Sequence, residues 1–285
     1  MKLLSQIDSD TGTVWLANTA TACLIDEARL SPKPGLVDSR GNGAHKDLSL
    51  ALMERSAHSL TSTFHALAQQ SWHRPADVAL RQTIGRLGRD GEAQMMAATG
   101  GVNTHRGAIW ALGLLVSAAA MHGGDAPAEA ICASAARLAM LPDAAAPKTF
   151  SKGLRASHRY QVPGAREEAA NGFPHIRELA LPQLHASRLR GDEASARLDA
   201  LLAIMTSLTD TCVLNRAGLD GLEAMRQGAR AVLDAGGAAA QAGRAALAQL
   251  DQRMLALNAS PGGAADLLAA TLLLDRIATL PCLPD

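Results

Sequence analysis

Apolar residues recur every three or four positions through most of the chain, as expected for helices that bury one face. No segment sustains the alternation of Val, Ile and Tyr that is typical of a half-buried strand. The pattern therefore predicts an all-α fold. The predicted helical stretches cover approximately residues 12–30, 46–71, 76–98, 104–122, 126–141, 174–188, 192–213, 217–257 and 261–279.

The predicted architecture is one compact domain over residues 1–285, because no linker divides the chain. Stretch 217–257 is too long for a typical helix, and Gly236-Gly237 is expected to break it in two. The composition is 48% hydrophobic but includes only three Trp, three Phe and one Tyr, so Ala and Leu must fill most of the core. Such a core favours closely packed helices. We expect a bundle of roughly nine to twelve helices, with functional loops at helix N-termini.

Charge and targeting signals exclude several classes of protein. Lys plus Arg and Asp plus Glu both number 27, so no global field attracts nucleic acid or an anionic membrane. The first residues, MKLLSQIDSD, lack a secretory apolar region, and no long apolar run is free of charge, so a cytoplasmic protein is expected. The oligomeric state stays open, with a homodimer as one option. Four widely spaced cysteines are expected to be reduced and buried: Cys23, Cys132, Cys212 and Cys282.

The first loop with candidate chemistry runs from Ser31 to Asp47. Lys33 is suited to a phosphate, while Asp38, His45 and Asp47 are suited to proton transfer or to a metal ion. The alternative is a stiff loop in which Asp47 only caps the next helix. Gly35 would let a ligand approach the backbone closely, and Asn42 offers an amide to a ligand.

A second loop, Gly100–Gly107, leads directly into an apolar helix. Asn103 or Thr104 is expected to be the N-cap, and free amides there, with Arg106 nearby, would suit a triphosphate. The alternative is a glycine break before an ordinary capped helix.

The third loop spans residues 164–174 and carries a charged turn between glycines. Arg166 is suited to bidentate phosphate contact, and Glu168 to a metal or hydroxyl group. Solvated surface charge is the alternative.

The fourth group joins residues 210–216 to residues 258–266. Asp210 lies in a predicted apolar helix, where a carboxylate needs a partner, and Arg216 is about one and a half turns away, so a buried ion pair is the simplest interpretation. Ser260-Pro261 is a predicted capped helix start, and Gly262-Gly263 would let a ligand approach its free amides.

Six segments together resemble the triphosphoribosyl-dephospho-CoA synthase family, in the family's order, from about Glu27 to Leu274. They are PKPGLVD, NGAHKD, GVNTHRGAIWALGLL, GAREEAANGFP, DTCVLNRAG and NASPGGAADLLAATLLL.

The resemblance implies an all-α enzyme that attaches C1′ of the ATP ribose to the 2′-hydroxyl of 3′-dephospho-CoA and releases adenine. Mg²⁺ is expected with the ATP. A separate phosphoribosyl-dephospho-CoA transferase would then pass the product to an acyl carrier protein. The Ser-Pro-Lys-Pro loop and the run Ser39–Gly43 look more like the malonate decarboxylase branch than the citrate lyase branch. Glu167 stands where relatives usually have glycine.

This chemistry gives the candidate residues their expected roles. Carboxylates would stabilise positive charge on the ribose, accept the hydroxyl proton and hold Mg²⁺. Cations and loop amides would hold the phosphates, and an imidazole would protonate the leaving adenine. Two alternatives remain: a non-catalytic protein that delivers ATP or dephospho-CoA, and a metal-dependent hydrolase. The carboxylates are Asp38, Asp47, Glu168 and Asp210; the cations are Lys33, Arg106, Arg166 and Arg216; the amides lie near Asn103 and Gly262; and the imidazoles are His45 and His105.

Overall fold

The computed structural model describes residues 8–147 and 152–279, and this part of the chain is helical, with one isolated bridge between Asp38 and Gly41. The predicted all-α fold is confirmed. The helices are α1 (Ser9–Arg29), α2 (Leu50–Ser59), α3 (Thr61–Ser71), α4 (Val78–Ala98), α5 (Arg106–Met121), α6 (Ala128–Met140), α7 (Lys152–Tyr160), α8 (Ala165–Ala170), a π-helical turn (His175–Ala180), α9 (Leu181–Arg188), α10 (Glu193–Met205), α11 (Thr211–Asp234), α12 (Gln241–Ala256) and α13 (Gly262–Ala278).

Two apolar helices, α5 and α13, form the centre of the bundle. Helix α5 packs against α1, α3, α4, α6 and α13, while α13 also packs against α1 and α10. Residues 111–120 of α5 are all buried, and a helix that is apolar on every side belongs in the interior. Leu and Ala dominate the buried set, as the composition predicted, because small side chains let the helix axes approach closely.

The structure divides several predicted stretches more finely. Stretch 46–71 is two helices that meet at Leu60. Stretch 192–213 was wrong as a single helix, because α10 ends at Met205 and a loop precedes α11. The predicted break at Gly236-Gly237 is confirmed, since α11 ends at Asp234 and α12 begins at Gln241. A non-helical backbone at Gly218 also kinks α11.

The pattern missed the short helices α7 and α8, whose residues were interpreted as loop. Both are polar, so apolar spacing gave no signal for them. Among the described cysteines, all free, Cys23 and Cys132 are buried as expected, but Cys212 is exposed, which corrects that prediction. Cys282 lies outside the described residues. No described helix is both long enough and apolar enough to cross a membrane.

Candidate active site

The first loop is held at its base by a buried ion pair. The ammonium of Lys33, about 1% exposed, is ion-paired with Glu27 at the end of α1 and donates to the Glu27 carbonyl oxygen at 2.6 Å. Glu27 is 4% exposed. A buried charge needs such a partner. The structure therefore places Lys33 on a protein carboxylate, where the sequence had suggested a phosphate.

Asp38 organises the same loop from inside. Its carboxylate accepts from the Lys33 amide at 2.9 Å, from the Arg40 amide at 2.8 Å and from Arg40 Nε at 2.9 Å. Burial acts to raise the pKa of Asp38, but the Arg40 side chain and these amides outweigh it, so the pKa lies below its usual value. Arg40 also pairs with Asp251 at 2.8 Å, and Asp251 accepts from the Gly35 amide at 2.9 Å.

The outer part of the loop docks on the fourth group. His45 Nε2 lies 2.8 Å from Ser260 Oγ, and its Nδ1 lies 3.6 Å from the exposed Asp47. Burial, and then the charge of Arg216, lowers the pKa of His45. The Asn42 carbonyl oxygen accepts from the His45 amide at 3.1 Å. The first loop and the start of α13 therefore form one surface.

Arg216 stabilises this junction and makes no ion pair with Asp210. Its Nε donates to the Asn258 carbonyl oxygen at 2.9 Å, and its Nη2 donates to Asn258 Oδ1 at 2.8 Å and also to the Ala44 carbonyl oxygen. The interpretation as an Asp210–Arg216 ion pair was therefore wrong.

The N-terminus of α5 holds a buried imidazole. His105, about 2% exposed, is the N-cap residue, although its side chain caps no amide. Its Nδ1 lies 2.8 Å from Ser56 Oγ, which lies 2.5 Å from Thr104 Oγ1, while its buried Nε2 has no partner. Burial, and then the nearby ammonium of Lys33, lowers the pKa of His105 to about 4. The imidazole is therefore neutral at pH 7.

The expected N-cap assignments need correction here and at α13. The N-cap of α5 is His105 rather than Asn103 or Thr104, although Asn103 Oδ1 accepts from the Arg106 amide at 3.3 Å. The Arg106 side chain is ion-paired with Glu92 on α4. The N-cap of α13 is Pro261, since Ser260 turns its hydroxyl to His45, and α2 is capped by Ser49 rather than Asp47.

Asp266, in the first turns of α13, joins that helix to α5. The N–H of Ala108 faces its carboxylate, and a Cβ at Gly107 would overlap Oδ2. Only glycine therefore allows this close approach. Burial raises the pKa of Asp266 well above its usual range, and the carboxylates of Glu27 and Asp210 raise it further.

Asp210 is the N-cap of α11 and also binds the start of α13. Its Oδ1 accepts from the amides of Cys212 at 2.8 Å and Val213 at 3.2 Å, and its Oδ2 accepts from the Ala264 amide at 2.9 Å. Gly263 lies against the same carboxylate, and Gly262 lies beside Cys212. Burial raises the pKa of Asp210 while the amides oppose that shift. The helix ends expected to bind phosphate are occupied by protein carboxylates.

The third loop is linked to α5 by a different route. Trp110 Nε1 donates to the Ala165 carbonyl oxygen at 3.0 Å. Glu168 accepts from the His175 amide at 3.1 Å and contacts His175 Nδ1 at 2.7 Å, so it caps the π-helical turn. Glu167 accepts from the Gly164 amide at 2.9 Å and caps α8, which explains how a glutamate fits there. Arg166 is exposed.

The sequence found three of the elements that converge but missed two central side chains. Loops one, two and four meet around Lys33, His105 and Asp210, whereas the third loop lies beside Trp110. Glu27 and Asp266 were not chosen as site residues, because each reads as an ordinary polar position of a helix. Within residues 8–147 and 152–279, no three His, Cys, Asp or Glu side chains are arranged to hold a metal ion.

Comparison with known proteins decides the family. Residues 13–282 match the family model described as "CitG: ATP:dephospho-CoA triphosphoribosyl transferase". The chain belongs to this transferase family. It is 75% identical over 279 residues to the 2-(5''-triphosphoribosyl)-3'-dephosphocoenzyme-A synthase of Klebsiella pneumoniae, which covers 98% of this chain and 100% of that protein.

A further relative agrees with this assignment, and a solved structure agrees with the fold. A protein of Stutzerimonas stutzeri (strain A1501), provisionally given the same name, is 62% identical over 265 residues, or 92% of this chain and 91% of that protein. A solved structure from Archaeoglobus fulgidus, provisionally named triphosphoribosyl-dephospho-CoA synthase, has a TM-score of 0.50 at 16% identity and covers 81% of this chain and 99% of that one. That likeness concerns the fold. Membership of the transferase family makes the chain an enzyme and excludes the non-catalytic delivery protein.

In this member of the transferase family, replacement of Asp210 tests its role as a double cap. Asp210→Ala leaves buried amides of α11 and α13 without an acceptor, and each such group costs about 1–3 kcal/mol. We expect the free energy of unfolding in urea to fall by about 3 kcal/mol, with a smaller loss for Asp210→Asn, which keeps one oxygen acceptor.

The matched control is Asp192→Ala, because Asp192 caps α10 alone and is exposed. The free energy of unfolding should fall clearly less for Asp192→Ala than for Asp210→Ala. Equal losses in the two variants would contradict the double cap.

Proposed function

We propose that the protein joins C1′ of the ATP ribose to the 2′-hydroxyl of 3′-dephospho-CoA and releases adenine, forming 2′-(5″-triphosphoribosyl)-3′-dephospho-CoA. Family membership over nearly the whole chain supports this reaction. The structural observation that supports it best is a group at the N-terminus of α5, formed by the buried Glu27, Lys33 and His105 and the partly buried Asp266. This group combines a protonatable acid with negative charge, which a pentosyl transfer requires.

Asp266 is the proposed acid for the departing adenine. When the bond from C1′ to the base breaks, its electron pair goes to adenine, and a proton donor makes adenine a better leaving group. A carboxyl whose pKa is raised by burial and by Glu27 keeps its proton at a higher pH than an ordinary aspartate. His105, neutral above about pH 4, is a weaker candidate for this role than the sequence suggested.

Glu27 is the proposed stabiliser of the sugar. The ribose becomes positively charged as adenine leaves, so a nearby anion lowers the barrier. Glu27 is the acidic neighbour with the largest effect on Asp266, and Lys33 fixes its carboxylate in place. Asp38, Asp210 and Glu168 each accept hydrogen bonds from backbone amides that they position, which favours a structural role for them. Within the described residues, the Glu27 carboxylate binds the Lys33 ammonium and accepts from no backbone amide.

Mg²⁺ is proposed to arrive with the triphosphate. The described residues offer no preformed cage for it, and Mg²⁺ on nucleotides commonly keeps several waters and phosphate oxygens as ligands. Asp47, which is exposed beside His45, is the candidate carboxylate with the fewest protein contacts. Asp47 is therefore the residue proposed to contact Mg²⁺ through its bound waters.

The reaction is tested by mixing the protein with Mg-ATP and 3′-dephospho-CoA and following adenine by chromatography. We expect free adenine and the triphosphoribosyl adduct in equal amounts. Omission of dephospho-CoA should stop adenine release, because the acceptor hydroxyl is missing. Adenine release without the acceptor would indicate the hydrolase, and ADP or AMP as products would contradict the transfer.

Asp266→Asn tests the acid. The amide keeps the size of the side chain but cannot protonate adenine, so we expect kcat to fall by about 10²–10⁴-fold. Since the folded pKa of Asp266 is raised, the wild-type rate should be full at low pH and fall as pH rises through that pKa. The variant should lack this fall.

The control is Asp220→Asn, on the exposed surface of α11. It should keep the wild-type rate and pH profile. Retention of both by Asp266→Asn would contradict the assignment of the acid.

We also propose that the product serves the acyl carrier protein of a malonate decarboxylase, after transfer by a separate phosphoribosyl-dephospho-CoA transferase. The Ser31–Pro34 loop and the Ser39–Gly43 run support this branch. Deletion of the gene should leave the malonate decarboxylase carrier without its prosthetic group, as measured by intact mass. Loss of the group from a citrate lyase carrier instead would assign the protein to the other branch.

A further inference from the structure

A cluster of arginines lies beside α5, apart from the residues around Asp266. Arg81 and Arg89, both on α4, share one carboxylate oxygen of Asp143, at 3.4 Å and 2.7 Å from their respective Nη1 atoms. Arg166, at the start of α8, lies close enough for its charge to act on Arg81. Its side chain makes no hydrogen bond or ion pair with any residue of the described ranges. Two guanidinium groups therefore share one carboxylate, and a third lies close enough for its charge to act on one of them.

The centre of this cluster is built into the fold. Arg81 is 7% exposed, yet its buried Nε has no hydrogen-bond partner. Its Cζ lies 5.6 Å from the centre of the Trp110 ring, within the range of a cation–π contact. A Cβ at Gly85 would overlap both Asp143 Oδ2 and the Arg81 guanidinium, so the glycine makes room for the pair. The Nε of Arg81 and the charge of Arg166 are therefore not satisfied by Asp143.

The cluster is next to the proposed reaction centre. Trp110 lies three residues beyond Gly107, the residue that Asp266 contacts, and a helix rises about 1.5 Å per residue. Trp110 Nε1 binds the backbone of α8 and so holds Arg166 beside Arg81. A nucleotide with its ribose at Asp266 could extend its phosphates along α5 towards these arginines.

We propose that Arg81, Arg89 and Arg166 form a subsite for the phosphate chain of a substrate nucleotide. Guanidinium groups suit this ligand because their paired N–H donors match phosphate oxygens. The proposal rests on the proposed function for the identity of the nucleotide, since both ATP and dephospho-CoA carry a phosphate chain. Arg81 and Arg89 are additions to the phosphate-binding residues that the sequence suggested, and Asp143 positions them.

The test replaces the two more accessible arginines, Arg89→Gln and Arg166→Gln, separately and together. The matched control is Arg86→Gln, because Arg86 lies on the exposed side of the same helix and pairs only with Asp90. Binding of inorganic triphosphate is measured by calorimetry, and KM and kcat are measured for both substrates. Thermal unfolding of each variant shows whether it is folded.

We expect the double variant to bind inorganic triphosphate at least tenfold more weakly and to show a similar rise in one KM, with kcat within a fewfold of wild type. A rise in the KM of ATP assigns the subsite to its triphosphate, and a rise in that of dephospho-CoA assigns it to the diphosphate. Arg86→Gln should match wild type.

Unchanged triphosphate binding and unchanged KM values in a folded double variant would overturn the proposal, and so would a loss confined to kcat or to the melting temperature. Calorimetry needs no turnover, so failure of the proposed reaction would be visible separately. In that case triphosphate binding would still depend on the arginines while no adenine formed.

Discussion

Burial of carboxylates at helix N-termini is the constraint on which the centre of this protein depends. An ionised carboxylate inside a protein is strongly unfavourable unless donors surround it. The first amides of a helix lack partners inside the helix, and the helix dipole favours negative charge there. Asp210 binds such amides of α11 and α13, and Asp266 faces the first turn of α5. The two aspartates thereby fix the relative positions of three helices.

This arrangement changes the expected division of roles. Free helix N-termini are good phosphate sites, which is why the sequence favoured the amides near Asn103 and Gly262. In the folded chain, protein carboxylates already lie at α11 and α13, and Lys33, Arg106 and Arg216 are held by Glu27, Glu92 and Asn258, respectively. The folded chain therefore gives protein partners to several groups that the sequence had suggested for phosphate.

The all-α fold, the Leu and Ala core and the break at Gly236-Gly237 could be predicted because they depend on local spacing and composition. The role of Asp210 as a double cap could not be predicted, because it depends on contact with the start of α13, 54 residues further along the chain. Asp266 was placed at the start of α13 but given no role, because a lone aspartate there usually faces water; packing of α13 on α5 partly buries it. Arg81 and Arg89 were not singled out from the sequence, because only their tertiary contact with Asp143 brings them together.

The chain carries no net charge, yet its charges are separated along α5. Near Gly107, Asp266 lies close enough for the charges of Glu27 and Asp210 to act on it, and Glu27 is ion-paired with Lys33. Near Trp110, Arg81 and Arg89 pair with Asp143, and the charge of Arg166 acts on Arg81. A triphosphoribosyl group in transfer has the same polarity, because its sugar becomes cationic while its phosphates stay anionic. A protein without net charge can stabilise both the sugar and the phosphates through separate groups of charge, because partly buried charges are screened less than exposed ones. Gly107 and Trp110 are three residues apart on α5, a rise of about 4.5 Å along the helix axis, so the two groups of charge adjoin neighbouring turns of one helix.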